Sequence, residues 1–141
     1  MLLNRGIDIN SKDNDGYTAL HHAAINNHLN TAEMLLNRGI DINSKDNNGN
    51  TALHIAADNN HLNTAEMLLN RGIDINSKDN KGYTALHIAA NNNHLNTAEM
   101  LLNRGIDINS KTNNGNTALH EAAISNHLNI AEMLLLSLIH I

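Results

Sequence analysis

The sequence predicts an all-α repeat solenoid: a continuous array of helix-turn-helix units, each with a β-hairpin loop, at a period of 33 residues. Three observations predict it. Thr18-Ala19-Leu20-His21 returns as Thr51-Ala52-Leu53-His54, Thr84-Ala85-Leu86-His87 and Thr117-Ala118-Leu119-His120, 33 residues apart each time. All five Met (1, 34, 67, 100 and 133) share one column of that period, and all eight Gly share two (6, 39, 72, 105 and 16, 49, 82, 115). Between these markers the apolar residues recur at helical spacing.

Three units are complete, 13–45, 46–78 and 79–111. A partial unit, 1–12, precedes them and an incomplete one, 112–135, follows. Nothing marks a linker, so residues 1–135 read as one domain.

The unit 79–111 carries each element in turn. Its Asp79-Asn80-Lys81-Gly82 turns the chain. Thr84 precedes the apolar Leu86, Ile88, Ala89 and Ala90, and its hydroxyl suits the N-cap of a short first helix. Small Ala89 and Ala90 let a second helix approach closely. Asn91-Asn92-Asn93 ends the first helix, with Asn93 suited to a left-handed turn. The second helix spans about His94 to Asn103, with Leu95, Ala98, Leu101 and Leu102 at helical spacing. Arg104 then meets the negative end of the helix dipole, and Gly105 supplies a left-handed stop. Ile106-Asp107-Ile108-Asn109 reads as extended.

These residues closely resemble the ankyrin repeat, which carries a Thr-Pro-Leu-His motif, paired alanines, a Leu-Leu-x-x-Gly helix end and an Asp-x-Asn hairpin. The likeness covers residues 1–135. Two columns depart from it: Ala19, Ala52, Ala85 and Ala118 replace the usual Pro, and Asn27, Asn60, Asn93 and Asn126 replace the usual Gly between helices. Each change is expected to weaken a unit by about 0.5 kcal/mol without endangering the fold. The resemblance implies a protein-binding array in which hairpin tips and first-helix ends line a concave groove.

Composition narrows the function. The chain has 28 Asn and 10 His among 141 residues, and no Cys, Pro, Trp or Phe. Without Cys there is no disulfide framework and no thiolate zinc site. A net charge of −5 offers no basic footprint for nucleic acid or anionic lipid. No apolar run reaches the roughly 18 residues of a membrane span, and Met1-Leu2-Leu3 gives way at once to Asn4 and Arg5, unlike a secretory signal. The expectation is a non-enzymatic, intracellular, cytoplasmic module without cofactor, small-molecule substrate, nucleic acid or membrane, binding a protein partner as a monomer.

Subtracting the repeat isolates what differs. Twenty-six of the 33 columns show one residue in every copy, and seven vary. The varying columns are Asp13/Asp46/Asp79/Thr112, Asp15/Asn48/Lys81/Asn114, Tyr17/Asn50/Tyr83/Asn116, His22/Ile55/Ile88/Glu121, Ile25/Asp58/Asn91/Ile124, Asn26/Asn59/Asn92/Ser125 and Thr31/Thr64/Thr97/Ile130. Drift after recent duplication is one explanation; the position of these columns favours a contact surface. The candidate partner-binding residues are Asp15, Tyr17, His22, Ile25, Asn48, Asn50, Asp58, Lys81, Tyr83, Asn91, Asn114, Asn116 and Glu121. Tyr17 and Tyr83 are two units apart, about 20 Å at one helix diameter per unit, and Tyr brings large contact area at little entropy cost. Solvated hairpin residues packing on their neighbours are the alternative. Ile55 and Ile88 read as core between units, while polar His22 and Glu121 in the same column suggest a half-buried position.

Eight of the ten His form two columns, His21/54/87/120 and His28/61/94/127. Their spacing of seven is not that of a helical zinc site, and no carboxylate completes a set. The resemblance implies that the first column bonds the hairpin backbone and the second starts the second helix, so acid is expected to weaken the stack below roughly pH 6. Ser11, Ser44, Ser77 and Ser110 lack a His-Asp partner at fixed offset, and each Gly stands alone, so neither a nucleophilic triad nor a phosphate loop is present. Asn43, Asn76 and Asn109 resemble an ankyrin motif modified by asparaginyl hydroxylases; the competing role is a hairpin Asn bonding its own backbone.

Both ends fall inside a unit. After Leu135 the pattern requires Asn-Arg-Gly, yet the chain reads Leu136-Ser137-Leu138-Ile139-His140-Ile141. That string corresponds to a translated transposase mosaic-end adapter, so 136–141 is expected to be read-through, on a fragment of a longer array. A divergent apolar cap is the alternative. Exposed Leu2, Leu3, Leu138 and Ile139 are expected to promote end-to-end association. The rival to the binding reading is a structural spacer or elastic tether, in which repeat number matters and the groove is incidental.

Overall fold

The computed structural model describes residues 6–139. The readings on Met1, Leu2, Leu3, His140, Ile141 and the side chains of Leu138 and Ile139 lie outside the described residues. Four helix pairs follow one another: α1 (Ala19–Ile25) with α2 (Leu29–Asn37), α3 (Ala52–Asp58) with α4 (Leu62–Asn70), α5 (Ala85–Asn92) with α6 (Leu95–Asn103), and α7 (Ala118–Ile124) with α8 (Leu128–Ile139). First helices pack side by side as one layer and second helices as another. Ala24, Ala56, Ala57, Ala89 and Ala90 have no exposed surface, and neither do Ala32, Ala65 and Ala98 of the second helices. Leu53, Leu68, Leu86 and Leu101 fill the space between the layers.

Each first helix starts on a Thr–His capping box. In α1 the Thr18 N–H donates to His21 Nδ1 at 3.0 Å while the His21 N–H donates to Thr18 Oγ1 at 3.4 Å. The same box opens α3, α5 and α7. The left-handed turn read at Asn93 is present there at φ 62°, and again at Asn27, Asn60 and Asn126 at 56°, 57° and 61°. Gly105, at φ 85°, provides the expected stop after α6. In α8 the stop is gone. Leu136-Ser137-Leu138 replaces Asn-Arg-Gly, the Ser137 hydroxyl donates to the Met133 carbonyl at 3.0 Å, and the helix runs 12 residues instead of nine.

The loops between pairs form short fingers, and no strand occurs among the described residues. The Asp46 N–H donates to the Asn50 carbonyl at 2.9 Å, and Asp46 Oδ1 accepts from the Asn48 and Asn50 N–H groups at 2.9 and 2.8 Å. The hairpin is thus a side-chain-braced turn. The stretch Ile106–Asn109 is not extended throughout: Asp107 Oδ1 accepts the Asn109 N–H at 3.0 Å and bends Ile108-Asn109 into a turn.

Rungs of hydrogen bonds tie each unit to the next. His21, His54 and His87 donate from Nε2 to the carbonyls of Asn50, Tyr83 and Asn116 at 3.0, 2.9 and 3.0 Å. His61, His94 and His127 donate from Nδ1 to Ala24, Ala57 and Ala90 carbonyls at 3.0, 2.9 and 2.8 Å. A backbone N–H can only donate and a carbonyl can only accept, so Nδ1 is the acceptor in the first column, leaving its proton on Nε2, and carries a proton in the second. Asn43 and Asn76 do not bond their own backbone. Their Oδ1 atoms accept the Asp74 and Asp107 N–H groups of the following unit at 3.0 and 2.9 Å, because the Asp already satisfies the local turn. Asn47, Asn80 and Asn113 add a second ladder, donating from Nδ2 to the carbonyls of Asn14, Asn47 and Asn80. Five of the 28 Asn supply side chains to these rungs.

Candidate functional site

On the side where fingers meet first helices, the array opens a groove of about 400 Å³. Tyr17, Asn50, Lys81 and Tyr83 reach it from the fingers, and Ile25, Asp58 and Asn91 from the ends of α1, α3 and α5. These seven are the candidates the fold brings together. Ile55 and Ile88 also line it, Ile55 buried and Ile88 half-buried, so neither is purely core between units. Asp46, Asp79, Asn59 and His54 complete the lining.

The other six candidates lie outside that lining. Asp15, Asn48 and Asn114 sit exposed on finger tips, where the Asp15 and Asn48 carbonyls accept the Asn47 and Asn80 N–H groups at 3.1 and 2.9 Å. His22 is exposed and pairs with Asp13 across 2.8 Å, its ring set edge-on to Tyr17 at 5.3 Å between centroids. Glu121 is only 4% exposed, not half-buried as its column suggested. Asn116 donates to its Oε1 at 3.3 Å, and the carboxylate lies close enough to Tyr83 to help push that phenol up.

Asp46 and Asp79 line the groove without having been among the candidate contact residues. Their column varies, however, and that was the available signal. Twelve of the thirteen lining residues fall in varying columns, His54 being the exception, so the groove is built almost wholly from what distinguishes one unit from another.

The electrostatics follow from this lining. Burial pushes the Tyr17 phenol up, helped by the carboxylates of Asp46, Asp15 and Asp13. Burial, then Glu121 and Asp79, does the same to Tyr83. Burial pulls His54 down, so it stands neutral in the wall. Both phenols therefore sit in a negative field.

Among the described residues no group of three or more His, Asp or Glu side chains is placed to hold a metal ion. No helix among them is long and apolar enough to cross a membrane. A family model for ankyrin repeats, three copies long, matches residues 1–79 and again residues 74–141. Compared with curated proteins, the chain has no match.

Proposed function

Since the chain belongs to the ankyrin-repeat family, whose members are generally protein–protein interaction modules, we propose that it is a non-enzymatic module that holds one macromolecular partner in the groove between fingers and first helices. The observation that carries the reading is the near-complete coincidence between the groove lining and the varying columns. Drift would scatter differences over all exposed positions, whereas exposed second-helix residues such as Asn30, Asn63 and Asn96, or Glu33, Glu66 and Glu99, are unchanged. Tyr17 and Tyr83 supply area, while Asn50, Asp58 and Asn91 supply polar contacts on a fixed scaffold. Asp15, Asn48 and Asn114 extend the surface along the finger tips, and His22, Asn116 and Glu121 support its two ends.

A spacer reading draws on the repeated rungs, which make the units mechanically equivalent. A pull-down from lysate with the chain and its Tyr17→Ala/Tyr83→Ala variant separates the two. A specific band lost in the variant is expected. Equal bands, or none, would favour the spacer.

A further inference from the structure

Unit by unit, the first finger differs from the next two in one respect. In the first unit Asp13 uses Oδ1 to brace the finger, accepting the Asp15 and Tyr17 N–H groups at 2.9 Å each, and uses Oδ2 to accept His22 Nε2 at 2.8 Å. Asp46 and Asp79 brace their fingers through Oδ1 in the same way. In their units the His22 position holds Ile55 and Ile88, and no side chain among the described residues donates to their Oδ2 atoms. Both carboxylates line the groove, and Asp46 is only 8% exposed. The lining holds three carboxylates, Asp46, Asp58 and Asp79, against the single ammonium of Lys81. The first unit thus shows within the molecule what a nitrogen donor does at this carboxylate, and the middle units present the same carboxylate over an isoleucine, without the donor.

Resting on the reading of the groove as a partner surface, we propose that its occupant is an extended, basic segment of a partner polypeptide, with one Lys or Arg donating to Oδ2 of Asp46 and another, three residues along, to Oδ2 of Asp79. The spacing follows from two lengths. Adjacent packed helices lie about 10 Å apart, and three residues of a chain extended as polyproline II rise about 9 Å and bring the side chain back to the same face. Apolar side chains between the cations rest on Ile55 and Ile88. A cation drawn from water into this partly enclosed site gains a charge-assisted bond in a negative field.

The probe is a fluorescein-labelled extended peptide with Arg at every third position and Val or Thr between, titrated with the 141-residue chain by fluorescence anisotropy. Asp46→Asn/Asp79→Asn keeps the Oδ1 acceptor that braces each finger, so the turn survives while the charge is removed. The expected result is binding weakened about tenfold or more. No weakening is expected in Asp74→Asn/Asp107→Asn, which changes net charge equally at exposed carboxylates elsewhere. Ile55→His/Ile88→His rebuilds the Asp13–His22 pair in both middle units with each carboxylate in place, and it too is expected to lose the peptide. Should the Asn variant unfold, the His variant decides. A peptide with Glu for Arg that binds as well, an every-second-residue Arg peptide that binds better, or equal binding by all variants would overturn the proposal. Loss of a lysate partner in Tyr17→Ala/Tyr83→Ala with none in Asp46→Asn/Asp79→Asn overturns the cation while leaving the groove. No loss in either overturns both.

Discussion

The groove and the rungs sit within a few residues of one another, yet they are composed in opposite ways. Rung residues such as His61, His94 and His127, or Asn47, Asn80 and Asn113, are the same in each unit and spend their hydrogen bonds on the neighbouring unit. Groove residues differ from unit to unit and are in large part committed to no neighbour. His54 is the invariant residue that belongs to both, lining the groove while bonding Thr51 in its own unit and Tyr83 in the next; Asp58 and Asn91 also accept from the next unit, from Asn92 Nδ2 at 2.7 Å and the Ser125 hydroxyl at 2.8 Å. Cohesion and contact are therefore carried mostly by separate side chains, with His54, Asp58 and Asn91 serving both. A unit's surface can change while its hold on the stack does not.

The largest expected breach of that separation is at the invariant shared residue. Removing the imidazole in His54→Ala leaves the Thr51 N–H without a partner in a buried site and takes one of two donors from the Tyr83 carbonyl, which keeps the Asp79 N–H, and about 2–3 kcal/mol of stability is expected to go. Tyr83→Ala should cost about 1 kcal/mol or less, and paired urea titrations compare the two. Near-equal losses would erase the distinction.

Next come the two classes of glycine. Gly49 stands at φ +80°, and a Cβ there would lie 2.7 Å from the Asn80 backbone nitrogen of the next finger. Gly72 has a similar φ of +88° but open space around it. Gly49→Ala is expected to cost about 3 kcal/mol and Gly72→Ala about 1 kcal/mol, measured by thermal melts.

Acid should act on the rungs before the groove. Burial lowers the pKa of His21, His54 and His87 below 6.5 in the folded chain. Each Nδ1 accepts a backbone N–H, so a proton there would set two donors against each other. The unfolded chain thus takes up protons first. Their contribution is complete above about pH 6.5 and is lost progressively below it. A melting temperature unchanged between pH 7 and about pH 5 would refute this.

The smallest effect is the most discriminating. Thr64 and Thr97 donate to the side chains of Asn27 and Asn60 at 2.7 and 2.9 Å, whereas Ile130 occupies that column beside Asn93. Asn93→Gly therefore gives up no rung and relieves a left-handed residue, for a gain of about 0.5 kcal/mol. Asn60→Gly loses the Thr97 bond and should gain nothing.

Elements governed by neighbours in sequence were legible there. Thr84 as cap, Asn93 as left-handed turn and Gly105 as stop each depend on three or four adjacent residues. The His21, His54 and His87 rungs were legible through the family resemblance, but the Asn rungs were not, because identity across copies says that Asn43 is needed without saying that its partner is 31 residues on. The groove was legible in outline through its varying columns. The roles of Asp46 and Glu121 were hidden by burial, which depends on what the next unit lays over them.

The rungs also bear on how such a gene changes length. Because each internal junction uses the same donors on one side and the same acceptors on the other, a recombination event that removes or duplicates a whole unit joins two surfaces that already fit. No compensating substitution is required at the new seam. The groove meanwhile grows or shrinks by one set of contact residues, so a copying error of this kind alters what the array recognises in discrete steps while its cohesion is inherited intact.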